Sequence, residues 1–270
     1  MNDQRPVGDL LREWRQRRRL SQLGLALDAE VSTKHLSFVE TGRAQPSREM
    51  VLRLAERLDV PLRERNTLLL AAGYAPLYRE RPLVDKALES ARQAIDRLLA
   101  AHEPYPALAV DRHWNLVLAN RLVAPLLTGA AAHLTTPPVN VLRLSLHPQG
   151  LAPRIVNYAQ WREHLLQRLQ RQVDVSSDPE LASLLDELRG YQMGGSGADV
   201  EDEFAVNGVL VPLQLTVEGG VLSLFSTTTI FGSPVDVTLA ELAIESFFPA
   251  DAATTRALEQ LAAMVVRSAS

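Results

Sequence analysis

The 270-residue chain is long enough for two domains of ordinary size, and its hydrophobic content of 46% allows each to fold around an apolar core. It contains no cysteine, which excludes disulfides, thiolate zinc sites, cysteine catalysis and thiol redox sensing. No apolar run approaches the roughly 18 residues of a membrane-spanning helix and the N-terminus lacks a signal-peptide pattern, so we expect a cytoplasmic, nucleoid-associated protein without membrane contacts.

The charge of the chain divides between its two parts. The net charge of −4 argues against a protein that coats nucleic acid with its whole surface. From the first residue to Arg81, however, the chain has 15 basic and 11 acidic residues, whereas the rest of the chain has a net charge of −8. This distribution is expected if only the first part meets a phosphate backbone, with ordinary variation between two domains as the alternative.

Residues 21–43, SQLGLALDAEVSTKHLSFVETGR, predict two short helices joined by a tight turn. Ser21 and Ser32 can each accept a hydrogen bond from the backbone N–H groups that a helix start leaves unpaired. The apolar residues expected to face a core are Leu23, Leu25, Ala26 and Leu27 in the first helix and Leu36 and Val39 in the second. Glu30 occupies the turn, where a left-handed backbone costs on the order of 1 kcal/mol for a residue other than glycine.

The second of these helices presents a polar face opposite its apolar one. Thr33, Lys34 and Ser37 share that face, since they lie at i, i+1 and i+4. A helix held from behind, with small polar and cationic side chains in front, suits the DNA major groove. The alternative is that Lys34 and Ser37 are only solvated surface residues.

The flanking sequence predicts three more helices. They are Val7 to Arg19, a helix capped by Ser47, and Leu62 to Ala72. With these five helices the N-terminal part resembles the Cro/repressor (Xre) type of helix-turn-helix domain. The resemblance implies that Gln22 touches a phosphate or a base edge and that the outward residues of the second helix read bases. The full set of expected DNA contacts is Gln22, Ser32, Thr33, Lys34, His35, Ser37 and Arg43, of which Arg43 would contact phosphate and His35 lies at the edge of the face.

After a connector the hydrophobic period changes. A helix from Leu83 to about Ala101 is either a rigid connector or part of a dimer seam. Two β-hairpins are predicted, from Ala107 to Ala119 and from Val209 to Thr229, the second with the turn Glu218-Gly219-Gly220. We expect helices over 119–127, 155–173, 178–189 and 252–266, a short apolar element over 139–146, a flexible loop at 194–197 and a β or mixed segment over 235–248.

The C-terminal half resembles the PAS-like ligand-binding domain of the MmyB-like transcription regulators. The resemblance is carried by VDRHWNLVLAN (110–120), NVLRLSLHPQGLAPRIVNYAQW (140–161) and TTTIFGSPVDVTLAELAIESFFPAD (227–251), together with residues 36–76 of the first half. It implies a regulator whose second domain takes an apolar small molecule, a fatty acid or related acyl compound. The expected fold is α+β: an all-α five-helix domain over 1–75, a connector helix over 76–104 and a PAS-like antiparallel sheet with helices over 105–270.

Five residues are candidates to hold the polar end of such a ligand. An apolar pocket for an acidic lipid needs cationic or amide donors, because an unpaired buried carboxylate is costly. The candidates are Arg143, His147, Arg154, Asn157 and Trp161, of which the last two lie at i, i+4 on one helix. The alternative is structural: Arg154 caps or begins a helix, His147 makes a turn bond and Trp161 fills the core.

The sequence predicts no enzyme. The GGSG stretch lacks the pattern of a nucleophile elbow, and its acidic neighbours would repel phosphate. The histidines are scattered without metal-ligand spacing, so we expect no metal and no cofactor other than a bound fatty acid acting as effector. Two functions are weighed: a dimeric, sequence-specific transcription regulator, and a protein-interaction module whose C-terminal domain serves dimerisation or partner docking without a ligand.

Overall fold

The computed structural model describes residues 5–176, 178–191, 211–232, 234 and 236–268. The chain forms two compact units. The first comprises Met1–Leu83 and Gly232–Ala240, and the second Val84–Phe231 and Glu241–Ser270. In the described part of the chain, no helix combines the length and apolarity needed to cross a membrane. The predicted loop at 194–197 lies outside the described residues.

Five helices of the first unit enclose one apolar core. They are α1 (Val7–Arg17), α2 (Gln22–Asp28), α3 (Thr33–Glu40), α4 (Arg48–Arg57) and α5 (Leu62–Ala71). Ser21, Ser32 and Ser47 cap α2, α3 and α4 through their side-chain oxygens, as the sequence predicts. Helix α1 approaches α3 closely at Gly8, where a Cβ would lie 2.3 Å from the carbonyl oxygen of Val39.

Helix α2 corrects one expectation. Leu25 and Ala26 are buried, but Leu23 and Leu27 are 58% and 69% exposed. The helix has only seven residues and rests on the core along a single narrow face, so adjacent leucines cannot all point inward. The turn after α2 is as expected: Glu30 adopts a left-handed backbone with φ 54°.

The second unit is built on a five-stranded antiparallel sheet, which confirms the α+β prediction. Its strands are β1 (Ala107–Val110), β2 (Leu116–Ala119), β3 (Leu213–Val217), β4 (Gly220–Ile230) and β5 (Ala243–Pro249), in the spatial order β2-β1-β5-β4-β3. Both predicted hairpins form, and Gly219 takes the positive φ of 95° that the turn between β3 and β4 requires. The late strand β5 pairs with β1 and β4 and so joins the two hairpins.

The remaining helices are α6 (Glu89–Ala101), α7 (Val123–Leu126), α8 (Ala132–Thr135), α9 (Val141–Leu146), α10 (Tyr158–Ser176), α11 (Pro179–Arg189), α12 (Val237–Ala240) and α13 (Ala252–Ser268). Three predicted boundaries move. Helix α6 begins at Glu89 after a 3₁₀ turn, and the helix expected over 119–127 is only one turn long. Helix α10 begins three residues late, because Ile155 bridges to Leu215 of β3 and extends the sheet hydrogen bonding.

Asn120 closes the β1–β2 hairpin from inside. Its Oδ1 accepts hydrogen bonds from the backbone N–H groups of Ala107 and Leu122, and its Nδ2 donates to the carbonyls of Leu99 and Tyr105. The buried amide thereby fixes the end of α6 to the start of β1. Asn120 therefore has a structural role, holding the turn that follows β2.

Residues between β4 and β5 belong to the first unit. The backbone N–H of Val237 donates to the carbonyl of Arg79 at 2.8 Å, and the Thr238 hydroxyl donates to the carbonyl of Arg81 at 2.6 Å. Asp236 bridges to Arg79 as an isolated parallel β pair. The first unit is therefore completed by chain that follows β4.

Candidate functional site

Helix α3 exposes a polar face on a rigid support. Leu36 and Val39 are 0% and 1% exposed at its back. Ser32 accepts a hydrogen bond from the His35 N–H at 3.1 Å, which fixes the start of the helix. On the front, Lys34 is exposed and Ser37 is half-buried. A side chain extending from this face can reach another molecule without disturbing the core.

A buried carboxylate holds the first three helices together. The Glu40 side chain is 0% exposed and accepts hydrogen bonds from Arg15 Nε at 2.7 Å and from Gln22 Nε2 at 2.8 Å. Burial alone would raise the pKa of Glu40, but the hydrogen bonds from Arg15 and Gln22 outweigh it and lower that pKa. The network fixes the orientation of α3 relative to α1 and α2.

The seven predicted DNA contacts lie on α2, α3 and the turn that follows. Ser32, Lys34, His35 and Arg43 are exposed, and Gln22, Thr33 and Ser37 are half-buried. The Gln22 Nε2 is engaged by Glu40, which leaves its Oε1 to act as an acceptor. The ammonium of Lys34 lies 5.7 Å from the ring centroid of Phe38, one helical turn further along α3. The assignment of these residues to DNA stays a prediction.

The second unit contains an apolar cavity between its sheet and its helices. Most of the 17 lining residues are apolar, and the four polar ones are Ser145, Arg168, Ser226 and Glu245. The apolar lining consists of Leu108, Trp114, Leu116, Val123, Leu127, Val141, Leu142, Leu144, Leu151, Trp161, Leu165, Leu213 and Phe247. A mostly apolar wall with a few placed polar groups is typical of a small-molecule site.

An ion pair forms the polar part of the cavity wall. Arg168 of α10 donates to Glu245 of β5 through Nη1 at 3.1 Å and Nη2 at 2.5 Å. Thr228 of β4 accepts from Arg168 Nη2 at 2.7 Å and donates to Glu245 Oε1 at 2.8 Å. The three side chains thus tie α10 to two strands of the sheet.

Trp114 stacks under this ion pair from an unusual backbone conformation. Its φ of 66° lies in the left-handed region, which a bulky side chain seldom adopts. Its ring centroid is 4.5 Å from the guanidinium carbon of Arg168, and its Nε1 donates to Gln172 at 2.7 Å. A strained backbone conformation persists only where the surrounding contacts hold it in place. Here the conformation places the indole in the cavity wall.

Of the five predicted ligand contacts, Trp161 lines the cavity. Its Nε1 donates to the Ser145 hydroxyl at 3.0 Å. Arg143 instead pairs with Glu187 at 2.7 Å, and this hydrogen bond lowers the pKa of Glu187. The His147 Nδ1 accepts a turn hydrogen bond from the Gln149 N–H at 3.0 Å.

Arg154 and Asn157 hold the backbone around β3. Arg154 donates to the carbonyls of Leu126, Thr128 and Thr216. Asn157 donates to the carbonyl of Pro212 at 2.8 Å and accepts from the Gln214 N–H at 3.1 Å. The turn hydrogen bond weighed for His147 is therefore observed, whereas Arg154 ends a 3₁₀ turn and does not begin a helix.

One missed cavity residue had a local signal. Trp161, Leu165 and Arg168 follow at i, i+4 and i+7, so a helical pattern puts Arg168 on the apolar face of α10. Trp114 and Glu245 had no such signal, because both lie far from Arg168 in the sequence and contact it only in the folded chain.

Comparison with known families decides which kind of protein this is. A family model described as the MmyB-like transcription regulator ligand binding domain matches residues 91–261. The chain belongs to this family. A second model, described as a helix-turn-helix domain, matches residues 6–68 of the MmyB-like chain. A DNA-binding helix-turn-helix domain joined to a ligand-binding domain is the architecture of a ligand-responsive transcription regulator.

Two other comparisons add little to this MmyB-like assignment. A solved structure titled "Structure of an RNA-binding Light-Oxygen-Voltage Receptor" matches with 14% sequence identity and a TM-score of 0.24, covering 98% of this chain. The chain spans 64% of that protein's length. None of the curated proteins matches the chain.

Proposed function

We propose that the protein is a sequence-specific, DNA-binding transcription regulator whose second unit binds a small apolar effector, a fatty acid or another acyl compound. We propose that it acts as a homodimer and is located in the cytoplasm, associated with the nucleoid. It needs no cofactor and catalyses no reaction. The observation that carries the proposal is the apolar cavity inside the region matched by the ligand-binding family.

The polar face of α3, formed by Thr33, Lys34 and Ser37, is the proposed DNA-contacting surface. Two copies in a dimer would insert α3 into successive major grooves, about 34 Å apart on a near-palindromic operator. Lys34 and Ser37 would contact bases or phosphates, and Arg43 would position the protein on the backbone. The Glu40 network supports this role, because it holds the back of α3 while the front stays exposed.

The double variant Lys34→Ala, Ser37→Ala tests whether this face of α3 contacts DNA. Each lost base contact costs about 1–3 kcal/mol, so preference for the operator over random duplex should fall by about a hundredfold. The measurement is a binding isotherm on duplexes selected by the wild-type protein from a random pool.

Lys86→Ala, Ser90→Ala is the matched control, since both side chains are exposed and lie outside the helix-turn-helix match. It should leave operator preference unchanged. If the α3 variant kept full operator affinity, α3 would not be part of the DNA interface.

For the effector we retain Trp161 as a ligand contact, because its indole lines the cavity. Arg143, His147, Arg154 and Asn157 bond to protein groups and are not among the lining residues of the described chain. Arg168 takes their place as the cationic group of the site.

A protein-interaction module is the second candidate. It is favoured by the exposure of Leu23 and Leu27 on α2, which offers an apolar surface to a partner. Salt dependence separates the two functions, since DNA contact releases counterions and gives a steep fall of affinity with salt. A flat salt response toward duplex would favour the interaction module.

A further inference from the structure

We propose that the cavity selects an effector whose polar end is uncharged, such as an alcohol, ester or amide, and that Glu245 is the residue that enforces the selection. The inference rests on the proposed function in one respect, that an apolar effector enters this cavity. It narrows the acyl compounds to those without a free carboxylate.

The first observation is that the cationic group of the cavity is already neutralised. Arg168 and Glu245 are the two charged residues among the 17 that line the cavity. Their atoms approach to 2.5 Å, and the Glu245 side chain is 5% exposed. The wall of the cavity therefore carries no net charge.

The second observation is that Arg168 is held from three sides. Glu245 accepts from both of its terminal nitrogens, Thr228 accepts from Nη2, and the Trp114 ring lies 4.5 Å from its guanidinium carbon. The guanidinium cannot swing toward a ligand without breaking several contacts at once. A ligand can therefore contact the guanidinium only in the position that these contacts impose.

A carboxylate ligand would compete with Glu245 for the same cation. If it displaced Glu245, a buried carboxylate would lose its partner, and if it did not, two carboxylates would share one guanidinium. Both outcomes are costly where water is scarce. An uncharged end avoids the conflict and still finds polar partners, since the hydroxyl groups of Ser145 and Ser226 line the same cavity.

Three ligands with the same ten-carbon chain test the proposal: 1-decanol, methyl decanoate and decanoate. Their affinities for the intact protein are measured at pH 7.5 by calorimetry and by the fluorescence of Trp114 and Trp161, both in the cavity wall. We expect the wild type to bind decanol and the ester at least tenfold more tightly than decanoate.

The variant Glu245→Gln separates selection by charge from simple hydrophobicity. It removes the competing charge and frees Arg168, so the ratio of decanoate affinity to decanol affinity should rise at least tenfold. Glu163→Gln is the matched control, because Glu163 lies on the exposed side of the same helix as Arg168 and accepts from Gln167 there. The control should leave the ratio unchanged.

A second measurement needs no variant. If the wild type takes the fatty acid only in its protonated form, its apparent affinity should fall about tenfold per pH unit above the ligand pKa, while decanol affinity stays flat. Tight, pH-independent decanoate binding, or an unchanged ratio in a folded Glu245→Gln, would overturn the proposal alone. Failure of all three ligands to bind would overturn it together with the apolar-effector function.

Discussion

At the scale of single residues, Glu40 fixes the position of α3 in the first unit. Its buried carboxylate receives Arg15 from α1 and Gln22 from α2, so a single side chain joins three helices. Removing one partner of such a pair typically costs about 3–5 kcal/mol, because the other charge is left buried and unpaired.

Glu40→Gln should therefore lower the stability of the first unit by about 3 kcal/mol, measured by amide hydrogen exchange of α1 and α3 in the intact chain. The exposed Glu56→Gln is the control and should change it by less than about 0.5 kcal/mol. The pKa of Glu40 is lowered in the folded state, so its contribution is present above the unfolded value of about 4.3 and is lost as pH falls through the lower folded value. The variant should lose this acid dependence, and an equally steep acid transition in Glu40→Gln would contradict the account.

At the scale of elements, α2 shows which features can be predicted from the local sequence and which cannot. The caps by Ser21, Ser32 and Ser47 were predictable, because a cap is formed within four residues. Which leucines of α2 face the core was not, because that depends on where α1, α3 and α4 lie. The same limit applies to the cavity. The position of Arg168 follows from its helix register, whereas Trp114 and Glu245 reach Arg168 from distant parts of the sequence.

The leucines of α2 make a direct test of this correction. Leu25→Ala should cost about 2–5 kcal/mol, since Leu25 is 0% exposed. Leu23→Gln and Leu27→Gln should each change stability by less than about 0.5 kcal/mol, since more than half of each residue is exposed to solvent. Chemical denaturation of the intact chain gives all three values, and comparable losses for the three variants would mean that α2 packs differently.

At the scale of the whole molecule, one chain carries a helix-turn-helix domain and a second unit with an apolar cavity. The fold class and the two-domain composition were predictable, because each half carries its own periodicity and family resemblance. Coupling between two sites in a regulator is typically about 1–3 kcal/mol, which corresponds to a change in operator affinity of roughly 5- to 150-fold. The sheet offers a matched pair of variants to test it, because successive residues of β4 point to opposite faces.

Ser226 lines the cavity, and its neighbour Thr227 is exposed. Ser226→Phe should fill the cavity, whereas Thr227→Phe should leave it open. The decisive measurement is the dissociation constant for a selected operator with and without decanol, in the wild type and both variants. We predict a change of at least fivefold in the wild type and in Thr227→Phe, and none in Ser226→Phe. Operator affinity that stays constant while tryptophan fluorescence shows the cavity occupied would contradict a ligand-responsive regulator.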